Sequence, residues 1–275
     1  SGHSFFGIIY ATADYLNAGG TFPAGSTGSP SISFTTDTDT GIYRRGSGDI
    51  GFVSNSTEIV NIDGNGLTVT GKDATINSIS VGKGANSVAG NTVLGENALD
   101  ASNSGNGNNT AIGKDALTSN TTGDYGVAVG ASSLGNNTTG TLNTAVGQGS
   151  LNANSTGGSN TALGNGALNQ NTTAFNNTAV GKSALLANTT GGNNVAVGSN
   201  ALDANTTANY NNAFGVHTLS ANTTGQYNTG IGHAVLHLNT TANYNTGVGY
   251  NALYANTTGT QNTALGSQAL SGNTT

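Results

Sequence analysis

The residues best typed for chemistry are Gly181-Lys182-Ser183, which run into an apolar stretch as the end of a phosphate-binding loop does. Such a loop needs a first glycine at position 176, so that backbone N–H groups wrap the phosphates; that residue is Asn176. His233 and His237 have the His-x-x-x-His spacing that binds zinc from a helix, but no Glu follows the first His and no further ligand is in reach. Asp37, Asp39 and Asp63 offer oxygens to calcium; the acidic loop pattern is missing, and turn chemistry accounts for them. No Ser-His-Asp set or carboxylate pair has workable spacing. The sequence therefore assigns no catalytic residue, no cofactor and no metal, and the expectation is a protein that is not an enzyme.

Two recurring features point to surfaces instead. Asn-Thr-Thr recurs and matches the N-glycosylation pattern; it reads as a polar ladder or turn, with attached sugars as the alternative. Tyr125, Tyr210, Tyr227 and Tyr244 fall in one phase, with Phe175 one place off it. A stacked tyrosine row can bind sugar rings or a neighbouring fibre, and simple packing is the plainer reading.

All of these residues sit on a repeat. NTALGNGALNQNTT (160–173), NTAVGKSALLANTT (177–190) and NVAVGSNALDANTT (194–207) follow one another at a spacing of 17. Glycines anchor the unit from Gly113 to Gly266, with Gly95 leading at one extra residue. A leucine lies four positions after each, and an asparagine recurs in phase from Asn120 to Asn273. Lys182 and Ser183 occupy variable positions, so the phosphate-loop likeness is a coincidence. A short fixed period over eleven copies signals stacked coils, and this one suits a β-solenoid or β-roll. Asn, Thr and Gly are weak helix formers, whereas Thr and Val suit strands. Thr-Ala-Val would be one strand per coil, and Asn-Thr-Thr-Gly a turn or a second, more exposed strand. Aligned asparagines would form amide ladders at about 4.8 Å.

Within the strand, Thr178 and Val180 share one side and Ala179 takes the other. If the residue before each glycine (Val146, Leu163, Val180, Val197, Phe214, Ile231, Val248) and the leucine fill the coil, the Ala column faces outward. Ala145, Ala162, Ala179, Ala196 and Ala213 then become the candidate subunit interface, a close approach of backbones, with a tight corner of a monomeric solenoid as the alternative. Two large apolar groups per coil are few, so burial between chains would help.

Before the repeat, alternation in Ser31-Ile32-Ser33-Phe34 and in Glu58–Ile62 predicts short strands. Asp39–Gly41, Gly46–Gly48 and Asp63–Gly66 predict turns. Residues 1–29, with SFFGIIYATADYL, read as an attachment segment or edge strand. Only 7% of residues are charged and the net charge is −6, which argues against nucleic acid, for which a basic face is needed. The strict apolar phase argues against disorder despite 44 glycines. Cysteine is absent, which removes disulfides and thiolate metal sites, and no apolar run is long enough for membrane insertion. The start at Ser1 and the stop inside a repeat lead to the expectation of a processed or truncated chain, with a C-terminal chaperone or further repeats removed.

Residues 78–99, SISVGKGANSVAGNTVLGENAL, resemble the head repeats of trimeric autotransporter adhesins, which implies a trimeric left-handed parallel β-roll. The longer NTAVGxxALxANTTG unit resembles repeats of phage tail-fibre proteins, and Asp-Thr-Gly-Ile-Tyr (39–43) resembles a segment that precedes their shaft or tip. The expected organisation is an N-terminal segment (1–29), a small β domain (30–70), a transition (71–90) and a roll of eleven repeats (91–275). The expected protein is an all-β, homotrimeric structural fibre, a rigid multivalent rod for host-surface attachment, located on a virion tail or extracellular surface. Its expected partners are itself, as trimer or end-to-end polymer, a host-surface glycan or protein, and other virion proteins. The alternatives are an extracellular self-assembling filament or bacterial surface adhesin and, last, a monomeric ice- or surface-binding solenoid.

Overall fold

The structure is a computed structural model that describes residues 24–34, 36–46, 49–63, 66–69, 73–101 and 104–275. The expected N-terminal edge strand within SFFGIIYATADYL lies outside them. Two compact units divide between Ala74 and Thr75. Among the described residues there is no α-helix, and no helix is long and apolar enough to cross a membrane.

The first unit is an antiparallel meander of β1 (Ile32–Phe34), β2 (Asp37–Gly46), β3 (Asp49–Ser54), β4 (Thr57–Asp63) and β5 (Gly66–Val69), paired in chain order. Ser33, Tyr43, Val53 and Asn61 are buried. Gly51 lies opposite Tyr43, and a side chain there would strike the ring 2.3 Å away. The Tyr43 hydroxyl donates to Glu58, whose carboxylate also meets Arg45 Nε at 3.4 Å. The expected turn at Asp39–Gly41 is instead the middle of β2. Gly41 is there for close approach, since a Cβ would sit 1.7 Å from the Ile32 carbonyl oxygen. Asp39 and Thr40 hold a different turn: Asp39 accepts from Ser56 Oγ (3.0 Å) and Thr40 Oγ1 from the Asn55 N–H (3.1 Å). Asn55 and Ser56, with φ of 50° and 58°, make the tight hairpin between β3 and β4.

The second unit is a β-solenoid. Its sheet begins with β6 (Ala74–Ile76), β7 (Ile79–Gly82) and β8 (Thr92–Gly95), and continues through ten three-residue strands, one per coil. These are β9 (Thr110–Ile112), β10 (Val127–Val129), β11 (Thr144–Val146), β12 (Thr161–Leu163) and β13 (Thr178–Val180), then β14 (Val195–Val197), β15 (Asn212–Phe214), β16 (Thr229–Ile231), β17 (Thr246–Val248) and β18 (Thr263–Leu265). From β8 onward the strands are parallel and in register, so Ala162 faces Ala179 and Ala179 faces Ala196. β7 pairs antiparallel with β8, so residues 78–99 are not two parallel coils of the kind the adhesin resemblance implies.

The Ala column corrects the expected orientation. Ala145, Ala162, Ala179, Ala196 and Ala213 are 0% exposed and pack inside the coil with the leucines. A side chain already covered within one chain cannot meet a second, so this column is not the subunit interface. The residues before the glycines, Val146 and Val180 among them, face outward, and Phe214 and Ile231 are exposed. Alternation fixed which residues share a side but left open which side is inner. Thinness decides it. Leu99 to Leu253 enter the coil from positions with φ of 48–54°, an uncommon left-handed conformation for a branched residue, and leave room opposite for a methyl group or a hydrogen only.

The anchoring glycines are required twice over. Gly181 has φ of 132°, and a Cβ would lie 2.6 Å from the Gly198 carbonyl oxygen. Backbone hydrogen bonds run between coils beyond the strands as well, from Gly181 N–H to Leu163 (2.8 Å), Leu185 N–H to Ala201 (3.0 Å) and Thr189 N–H to Thr206 (2.8 Å). The expected amide ladder is present: Asn137 donates to Asn120, Asn154 to Asn137, and so on to Asn256, at 2.7–3.2 Å. These asparagines are buried, so the folded coil leaves no space for sugars on them. A second ladder starts each NTAVG unit, where the backbone N–H of Asn177, Asn194 and Asn211 donates to the Oδ1 one coil back at 2.9–3.0 Å.

Candidate functional site

Two side-chain arrays break the monotony of the solenoid. The first is the tyrosine column, two residues ahead of the strand in each coil. Tyr125, Tyr210, Tyr227 and Tyr244 all have φ of 57–59°, which turns the backbone and presents the ring outward. In-register stacking then sets the geometry. Tyr210 and Tyr227 stack with ring centroids 5.0 Å apart and planes 7° apart, and Tyr227 and Tyr244 at 5.0 Å and 0°. All three are about half exposed, at 47%, 46% and 57%. Tyr125 stands apart, because Leu142, Ser159, Asn176 and Asn193 fill the coils between. Phe175 is exposed and leans back over Gly158, where a Cβ would lie 3.1 Å from its ring. The structure thus makes one three-ring platform and leaves two single aromatics.

The second array was not foreseen as a set. His233 and His237 lie on an irregular turn of one coil rather than on a helix, and His217 from the coil before meets both. Tyr250 and Tyr254 of the coil after complete it. These residues stand one, two and five places after their anchoring glycines, in different coils, so no linear motif connects them. The usable signal was positional: these are the free positions of the repeat, and they carry ring side chains in neighbouring coils. Among the described residues no group of three His, Cys, Asp or Glu is arranged to hold a metal ion. Lys182 is exposed in a coil turn with no helix behind it, which disposes of the phosphate loop.

Along the outer face of the sheet runs a third feature, an apolar column from Ile112 through Leu163, Val180 and Phe214 to Leu265, beside a column rich in threonine. Leu163, Phe214, Ile231 and Leu265 are 41–79% exposed.

Fold and columns together define a β-solenoid repeat protein with a small antiparallel N-terminal sheet. No protein-family model, curated protein or solved structure matches the chain.

Proposed function

We propose that the chain is a non-enzymatic structural fibre protein, a homotrimer whose solenoid serves as a stiff, multivalent rod for attachment to a host surface. The phage tail-fibre resemblance of the repeat suggests this, and a virion tail or extracellular surface is the corresponding location. The observation that supports it is the outward apolar column, one side chain per coil over ten coils with no charge among them. An apolar row of this length is unfavourable in water. Another copy of the chain carries apolar side chains at the same coil spacing, so two rows can interdigitate along their whole length. Three tyrosine platforms held together would then raise avidity without any strong single contact.

Light scattering combined with small-angle scattering tests the assembly. A mass of three chains is expected, and Val180→Asp together with Val197→Asp should yield monomers with an unchanged circular dichroism spectrum. A monomeric wild type would overturn the trimer. Long polymers would overturn it as well, in favour of the self-assembling filament.

A further inference from the structure

After Lys182 the chain contains no lysine, arginine or glutamate. Its acid and imidazole groups there, Asp203, His217, His233 and His237, fall in three successive coils at positions the repeat leaves free. The fold gathers them at one place. The three histidines, with Tyr250, Asn251 and Tyr254, line an open cavity of about 470 Å³.

The internal order of this cluster is specific. His233 stacks on Tyr250 at 5.6 Å and His237 on Tyr254 at 5.1 Å, each pair 18° from parallel. His217 meets the two imidazoles edge-on, at 6.4 and 6.0 Å. Nδ1 of His237 lies 2.8 Å from Ser220 Oγ and 3.2 Å from the His217 carbonyl oxygen. A carbonyl can only accept, which favours the proton on Nδ1; Nε2 is then an acceptor in the neutral ring and donates to an anion only in the imidazolium form. Two buried acceptors close by have no partner: Asn251 Oδ1, on a residue that lines the cavity, and Asp203 Oδ1.

A ligand suited to these walls carries an anionic group for imidazole N–H and tyrosine O–H donors, and a hydroxyl for the idle amide oxygen. The cavity is far larger than a bare oxyanion needs. A transition metal is the obvious competitor for three imidazoles, but among the described residues no three such groups are arranged to hold one. We propose that this cavity binds an acidic sugar, with the anionic group on His217, His233 and His237 and a ring hydroxyl on Asn251. The proposal rests on reading the solenoid as an attachment surface and names what it attaches to.

Affinity follows pH through the groups that face the cavity. Histidine is the side-chain type whose charge ordinarily changes between pH 5 and 8, and a cationic partner strengthens an anion contact. Asp203 lies beside the cavity rather than in its lining and opposes the ligand when ionised; burial holds its carboxyl above the ordinary value, against a smaller pull down from His217 and His237. Tyr250 and Tyr254 line the cavity with phenolic hydroxyls, and no other Asp, Glu, Lys, Arg or His lies within residues 183–275.

Titration calorimetry on the full chain tests this with trigalacturonate, neutral galactotriose and sodium sulfate. Trigalacturonate should bind about tenfold tighter near pH 5.5 than near pH 8, since one charge-assisted contact is worth about that factor. Galactotriose and sulfate should not bind, a chelator should have no effect, His233→Gln and His237→Gln should abolish the acidic gain, and Lys182→Ser should retain it. Equal binding of galactotriose, equal binding of sulfate, dependence on added Zn²⁺, or no binding at either pH would each overturn the proposal. The mass of the same samples separates this from the fibre reading: a trimer that ignores trigalacturonate sinks the acidic-sugar site alone, and a monomer that binds it sinks the trimer alone.

Discussion

Thr218 and Val235 stand where other coils carry Ala167, Ala184 or Ser150, and the strand positions nearest them are Gly230 and Gly247 in place of alanine. A Cβ on Gly230 would lie 2.5 Å from Thr218 Cγ2, and one on Gly247 2.6 Å from Val235 Cγ1. The inner volume of the coil is thus conserved by exchanging a methyl group between facing walls. Gly230→Ala should therefore overpack the coil and cost about 1–3 kcal/mol. Adding Thr218→Ser, which keeps the hydroxyl that donates to the Gly232 carbonyl, should recover most of that loss. Denaturant unfolding of the two single variants and the double variant measures the coupling; additive costs would disprove the exchange. The glycines at 230 and 247 were plain in the sequence, but their cause was not, because the facing residues lie 12 positions apart in both cases, from 218 to 230 and from 235 to 247, across a turn whose path no local pattern reveals.

At the scale of elements, periodicity located the strands and the amide ladder well, since both follow from phase alone. It could not orient the strand, because alternation is symmetric about its two faces, and the close approach of the coil walls breaks that symmetry. The Asp-Thr-Gly of β2 shows the same limit in another form: a turn composition served a neighbouring turn through its side chains. That contact has a pH signature. The Ser56 hydroxyl, the largest cause, holds the Asp39 carboxyl below its ordinary value of 3.8. A depressed carboxyl contributes stability that is complete above the unfolded value and lost as pH falls through the folded one. Amide exchange of Ser56 should therefore show protection in the wild type that is reduced in Asp39→Asn at neutral pH, with the difference closing as the pH drops below about 3.8. A gap that persisted in strong acid would assign the effect to packing instead.

For the solenoid unit as a whole, contacts run from each coil to the next, so stability is nearly a sum of coil and neighbour terms. The sequence made this legible, because a period of 17 with invariant anchors admits no other economical packing. The histidine cavity was illegible for the same reason: it is written across coils, in positions that the period marks as free. Deletion of residues 178–194 removes one whole coil and joins Asn177 to Val195, which preserves every column. The shortened chain should melt cooperatively, only a few degrees lower, with an unchanged spectrum per residue. Deletion of residues 178–196 also removes Val195 and Ala196, so the joined coil lacks its buried methyl group and is too short to reach the next glycine in register. It should melt much lower and less cooperatively. Both cuts lie outside the coils that carry His217, His233 and His237, so the first should leave trigalacturonate binding unchanged while the second tests how far a broken coil propagates. If the in-phase deletion collapsed the unit as badly as the out-of-phase one, nearest-neighbour stacking would be the wrong description, and the coils would have to be coupled through something the single chain does not contain, such as the partner copies.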